Sequence, residues 1–165
     1  YECPFCQRHF HQSGSSIQQR IDAGEVKLIT KDYPLPFHQQ AQKAAESAHC
    51  ARDQGGDEKY YAMHDLLFSN GVEGGVETFK GYAKQLGLDA NKFSSCLESD
   101  KFKDEVQKDL AYGSTIGVEG TPAFFVNGKL VSGACPYSQT FKPVIDAELV
   151  GGKWAVTNCQ FANLA

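Results

Sequence analysis

Two thiols separated by two residues open this chain, in Tyr1-Glu2-Cys3-Pro4-Phe5-Cys6. Pro4 suits the first position of a helix, because its missing N–H would be unsatisfied there and its fixed φ is already helical. A helix start leaves backbone N–H groups unpaired and carries partial positive charge, so a sulfur anion is stabilised there relative to the thiol. Cys3 is therefore the expected nucleophile. Cys6, one turn on and on the same face, is placed to attack a mixed disulfide formed at Cys3 and release the partner. The chemistry expected of the pair is a cycle between dithiol and disulfide.

Two other uses of the same residues remain open on this motif alone. His9 and His11 continue it as Cys-x-x-Cys-x-x-His-x-His, half of a zinc site, although no second Cys-x-x-Cys or paired histidine cluster completes the set. A purely structural disulfide is the other. Beside the thiols, a protonated His9 or His11 would further stabilise the Cys3 anion.

The elements that must hold this site are legible from composition and pattern. With 165 residues, 41% of them hydrophobic and 12% aromatic, the chain can bury one sizeable core, with room for an inserted subdomain. A net charge of -4 with scattered basic residues gives no electrostatic case for nucleic acid or anionic membrane as a partner. No apolar run is long enough to span a bilayer, and the opening residues lack the pattern of a secretory signal peptide, so any export signal is expected outside the given residues. Six cysteines is a high count for a reducing compartment and favours an oxidising, extracytoplasmic one, whether periplasm, cell surface or medium.

In chain order, the spacing of Phe5, Phe10, Ile17 and Ile21 predicts a helix kinked or broken at Gly14 and ended at Gly24. Glu25 to Lys31 is rich in β-branched residues and predicts a strand. The prolines of Asp32-Tyr33-Pro34-Leu35-Pro36-Phe37 demand a loop. His38 to Gln54 predicts a helix stopped by Gly55-Gly56, and Asp57 caps another that reaches Ser69. Glu77 to Leu86, a short helix capped by Asp89, and a longer one to Tyr112 complete a helical middle. Asn127-Gly128 between Ala123-Phe124-Phe125-Val126 and Lys129-Leu130-Val131-Ser132 is a strong hairpin signal. Pro136 opens a last helix, from Tyr137 to Leu149, and the tail beyond Gly151-Gly152 is a strand or an irregular arm.

A Cys-x-x-Cys helix, a strand, a Gly120-Thr121-Pro122 segment before a hairpin and a closing helix together resemble the thioredoxin fold. The helical block makes residues 1 to about 149 resemble the DsbA group of thiol-disulfide oxidoreductases. Cys3-Pro4-Phe5-Cys6, His64-Asp65-Leu66-Leu67-Phe68 and Gly120 to Gly128 look most like its Cys-Pro-Phe-Cys branch. The resemblance implies an α/β, thioredoxin-like fold with an inserted helical subdomain. Its core would be residues 1–31 and 117–149, its insertion 38–116 and its C-terminal tail 150–165.

By the same resemblance Pro122 is a cis proline facing the disulfide, and Thr121 and Pro122 bind an extended client peptide beside Cys3. Phe5 and Pro4 tune the redox poise, and a depressed Cys3 pKa makes the disulfide an oxidant. In that family the active-site helix follows a central strand, whereas this chain begins two residues before Cys3. The preferred expectation is that the residues are part of a longer chain. The others are that the first central strand, absent here, comes from Trp154 to Phe161 or from a neighbouring chain by strand exchange.

Four cysteines lie outside the motif. The preferred pairing is Cys50 with Cys96, on helices placed to pack together, and Cys135 with Cys159, which would tether the tail; buried thiols are the alternative. His38, His49 and His64 have no partners at ligand spacing and are expected in surface or packing roles; no metal or bound cofactor is expected. The activity expected is oxidation of cysteine pairs in exported polypeptides, with a quinone-linked membrane partner of the DsbB or vitamin K epoxide reductase type implied by resemblance. Two rivals stay open: a reductase or isomerase using the same site, and a structural assembly subunit gripping a neighbour with Trp154 to Ala165.

Overall fold

A computed structural model describes residues 1–154 and 157–159 of the chain. Its first elements are α1 (Pro4–His9), a π-helical turn (Phe10–Gly14), α2 (Ser15–Asp22), α3 (Ala41–Asn70), α4 (Val76–Gln85), α5 (Ala90–Glu98) and α6 (Lys103–Thr115). Then come β1 (Ala123–Val126), β2 (Lys129–Ser132), a second π-helical turn (Tyr137–Phe141), α7 (Lys142–Leu149) and β3 (Thr157–Asn158). The chain forms two compact units, one of Tyr1–Cys3 with Lys31–Gly117, the other of Pro4–Thr30 with the residues from Val118.

The first unit is helical. Gly55 (φ -149, ψ 21) and Gly56 (φ 67, ψ -161) break α3 into two helical halves, at the place where the glycine pair stops the predicted helix. The positive φ of Gly56 is one that a Cβ would strain. Ala44, Ala45, Ala48 and Ala51 line the first half, all buried, and their small side chains let neighbouring helices approach closely. Met63, Leu67, Phe79, Phe93 and Leu97 fill the space between α3, α4 and α5. Asp89 caps α5 by accepting the Lys92 backbone N–H at 2.9 Å, the role its position predicts. A disulfide joins Cys50 on α3 to Cys96 on α5 inside this core.

Buried charge in this unit is paired. Glu46 on α3, almost wholly buried, accepts from Lys43 Nζ at 2.7 Å and Gln42 Nε2 at 3.0 Å. Asp32 and His49 are both buried, with Asp32 Oδ2 2.7 Å from His49 Nε2 and Glu105 Oε1 3.5 Å from His49 Nδ1. Asp109 holds the same segment, accepting from Lys31 Nζ at 2.7 Å and from the Asp32 backbone N–H at 3.1 Å. Tyr60 and Phe102 close over the imidazole. This pair anchors the proline-rich loop to α3.

The second unit is built on a hairpin. Antiparallel β1 and β2 pair from Ala123–Ser132 to Val126–Lys129, and Asn127 (φ 47) and Gly128 (φ 84) make the left-handed turn that Asn-Gly predicts. β3 adds parallel to β2, giving the order β1-β2-β3. Ile17, Val26, Phe124, Val131, Phe141 and Ile145 form the core between sheet and helices. The Cys135–Cys159 disulfide and a 2.6 Å hydrogen bond from Trp154 Nε1 to Glu148 hold the tail on the β2 side.

Two sequence expectations need correction. Glu25 to Lys31 belongs to no strand: its residues carry β propensity, but a ladder also needs a partner edge, and Ile29 is 67% exposed. The helix does not break at Gly14, which keeps helical angles (φ -57, ψ -48) as the end of the π-helical turn. Of the Trp154 to Phe161 stretch expected as a source of the central strand, the described Thr157–Asn158 pairs with β2, on the side away from β1. Residues 155, 156 and 160–165 of that tail lie outside the described residues.

The Asp32–His49 pair predicts a pH dependence. Burial alone would lower the His49 pKa, but the hydrogen bond that His49 donates to Asp32 and the charges of Asp32, Glu105 and Asp109 outweigh it and raise the group above its ordinary 6.5. A raised folded pKa gives stability that is complete below the unfolded value and lost as pH rises through the folded one. Asp32→Asn should therefore destabilise by about 3 kcal/mol at about pH 6 in denaturant titration, with a smaller deficit at about pH 9. A deficit that grows with pH would contradict the ion pair.

Candidate active site

Cys3 immediately precedes Pro4, the first residue of α1, and Cys6 lies within the first turn. Both lie outside the two disulfides, which take the remaining four cysteines. Cys3 is 7% exposed, and Cys6 is half-buried. Electrostatics at the helix start favour the anion at Cys3, whereas access favours Cys6. Pro4 and Phe5 between them face solvent, with Phe5 37% exposed and the Arg8 guanidinium 5.2 Å from its ring centre. The cation covers part of an apolar ring that the motif leaves at the surface.

The Thr121–Pro122 peptide bond is cis. Pro122 is buried directly before β1, and its carbonyl accepts the Gly133 N–H at 2.8 Å, which closes the open end of the hairpin. Thr121 is half-buried. The second unit thus carries α1 with Cys6 together with this cis-proline segment.

His9 sits on α1, one turn beyond Cys6, and turns inward. Its ring lies 4.4 Å from that of Phe124 and 5.1 Å from that of Phe141. Buried Nδ1 has no hydrogen-bond partner among the described residues, and burial lowers the imidazole from 6.5 to about 4. A neutral ring cannot stabilise a thiolate by charge, so His9 does not have the role that its place in the sequence invites. Among the described residues no group of three or more His, Cys, Asp and Glu side chains is placed to hold a metal ion.

The carboxylate next to the first thiol gives no signal of its role in the sequence. Glu2 Oε2 accepts the backbone N–H of Gln40, just before α3, at 2.7 Å. Tyr1 packs its ring 4.8 Å from Phe68 and edge-on to His64 at 5.6 Å. The His-Asp-Leu-Leu-Phe stretch that carries part of the family resemblance therefore holds the residue two places before Cys3. A motif match could have flagged it, but a hydrogen bond spanning 38 positions has no local signature.

Burial of His9 has a measurable cost in acid. A depressed folded pKa means that stability is complete above the unfolded value of about 6.5 and lost as pH falls toward about 4. His9→Phe should keep the packing on Phe124 and Phe141 and abolish this loss, which amounts to about 3 kcal/mol. Parallel stability-pH curves for the two proteins in urea would contradict the assignment.

Comparison with known proteins agrees with this geometry. A family model described as thioredoxin matches residues 1–147. The thiol-disulfide exchange protein alpha-DsbA2 of Wolbachia pipientis superposes with a TM-score of 0.75 at 26% identity, covering 88% of this chain and 76% of that one. A thioredoxin-like oxidoreductase of Silicibacter pomeroyi gives 0.72 at 26% identity, with 88% and 80% covered. Among curated proteins, the Na(+)/H(+) antiporter NhaA 1 of Salinispora arenicola is 33% identical over 131 residues, 78% of this chain and 19% of that protein. The chain spans about a fifth of the length of the curated relatives it matches. It belongs to the thioredoxin family and has the fold of the DsbA-type thiol-disulfide oxidoreductases.

Proposed function

We propose that the chain is an extracytoplasmic thiol-disulfide oxidoreductase that oxidises cysteine pairs in exported polypeptides through a Cys3–Cys6 disulfide. The observation that carries this reading is the placement of Cys3 and Cys6 at the start of α1, outside both disulfides. A client thiolate attacks Cys3 Sγ, breaking the Cys3–Cys6 bond and releasing Cys6 as thiolate, which takes up a proton. The client's second thiolate attacks the mixed disulfide, forms the client disulfide and expels Cys3 as thiolate. Two electrons pass from client to protein in each cycle. The helix start makes Cys3 the better leaving group of the second step, which drives the exchange toward oxidised client.

An extended client strand would lie along the backbone at Thr121 and Pro122, with the exposed Phe5 ring offering an apolar contact. The Cys50–Cys96 and Cys135–Cys159 disulfides support an oxidising compartment. Reoxidation would fall to a membrane-bound, quinone-linked partner. The match to part of several Na(+)/H(+) antiporters supports a thiol-exchange module carried beside a membrane transporter. The described part of the tail lies against its own β2, which gives no support to a subunit that grips its neighbour there.

Equilibration with glutathione tests direction, and single-cysteine trapping tests roles. The oxidant reading predicts a potential well above that of the cytosolic reductases at about -270 mV, and a value near that figure would contradict it. Offered a peptide that carries a disulfide, Cys6→Ser should accumulate a mixed disulfide at Cys3, whose thiolate breaks the peptide S–S bond and leaves the second peptide sulfur as a thiolate, whereas Cys3→Ser should not. Trapping at Cys6 instead would reverse the assignment and follow the exposure of the two sulfurs.

A further inference from the structure

Cys3 ends a short arm, Tyr1–Cys3, that is packed with the helical unit, while Pro4 begins the other unit. Both residues before the thiol are fixed. The Gln40 carbonyl is used within α3, accepting the Ala44 N–H at 2.8 Å, and the Gln40 side chain makes no capping hydrogen bond. The Gln40 N–H therefore turns outward, and Glu2 serves it as the acidic residue of a capping box would, but from 38 positions away. A carboxylate is also the group that the positive end of α3 favours. Tyr1, held against His64 and Phe68, clamps the arm from the second half of α3. Contacts of adjacent residues with position 40 and with positions 64 and 68 place the two ends of α3 side by side.

We infer that Glu2 is a positioning residue of the dithiol site: its carboxylate, fixed by the start of α3, orients the residue carrying the nucleophile and sets the field in which the Cys3 sulfur ionises. The inference rests on the reading of Cys3 as the working thiolate. A fixed negative charge one residue from the sulfur opposes the helix start, because like charges disfavour a second anion. Glu2 thus limits how oxidising the site becomes, and the hydrogen bond to Gln40 holds the charge in place. The Asp32–His49 pair, in contrast, is buried away from solvent and shows no route to a client.

The test is the pH dependence of Cys3 alkylation in a Cys6→Ser background, a readout that needs no client. Glu2→Gln keeps an oxygen for the Gln40 N–H and removes the charge; the Cys3 pKa should fall by about half a unit to one unit. Glu2→Asp keeps the charge but shortens the reach, so amide exchange at Gln40 should quicken while the pKa stays within a few tenths of the parent. An unchanged pKa in folded Glu2→Gln would overturn the inference, as would equal falls in both variants, which would mark Glu2 as a structural cap only. Failure of the parent protein to oxidise a dithiol peptide, with the Glu2→Gln shift still present, would overturn the proposed function and leave the role of Glu2 standing.

Discussion

A helix begins with backbone N–H groups that have no carbonyl to serve, and in this protein that deficit lies directly beside a thiol. The sequence Cys3-Pro4 makes the arrangement possible, since proline starts α1 without wasting a donor and leaves the thiol residue next in the chain to the positive end of the helix dipole. The remaining features of the site act on this contact. Phe5 and Arg8 shape its surface, Glu2 brings a charge of opposite effect, and His9, neutral inside the apolar core, adds none. His9 therefore adds no cationic charge to the opposed effects of helix start and carboxylate at Cys3.

Rigidity for that contact comes from two separate sources. In the helical unit, alanine-lined packing on α3, the Cys50–Cys96 bridge and the Asp32–His49 pair fix the element that grips Tyr1 and Glu2. In the other unit, the Asn127-Gly128 hairpin, the hydrogen bond from the Gly133 N–H to the Pro122 carbonyl and the Cys135–Cys159 bridge fix the segment proposed to meet clients. The polypeptide passes from one unit to the other between Cys3 and Pro4, so the residue that carries the nucleophile is anchored through the first. Arg20 adds ion pairs to Glu25 and Asp146 that tie α2 to α7 within that second unit.

Local chemistry made much of this legible before any coordinates. The glycine pair at 55 and 56, the Asp89 cap and the Asn-Gly turn specify backbone angles or hydrogen bonds within a few residues, and each element forms where its signal lies. The thiol pair was legible for the same reason. What failed depended on distant partners. Glu25 to Lys31 has a strand's composition and no ladder, His9 reads as a polar neighbour of the thiols until Phe124 and Phe141 enclose it, and Glu2 finds Gln40 only through the fold. Burial and long-range pairing are properties of the packed chain, and a single sequence records them weakly.

The proposed exchange depends on Cys3 being the more acidic thiol, and titration of the unaltered protein, following thiolate absorbance and locating the ionising residue by mass spectrometry after brief alkylation, tests that directly. A Cys3 pKa clearly below the ordinary thiol value of about 8.5, with Cys6 ionising later, is the result the helix-start argument predicts. A Cys3 pKa at or above that value, or Cys6 ionising first, would contradict it.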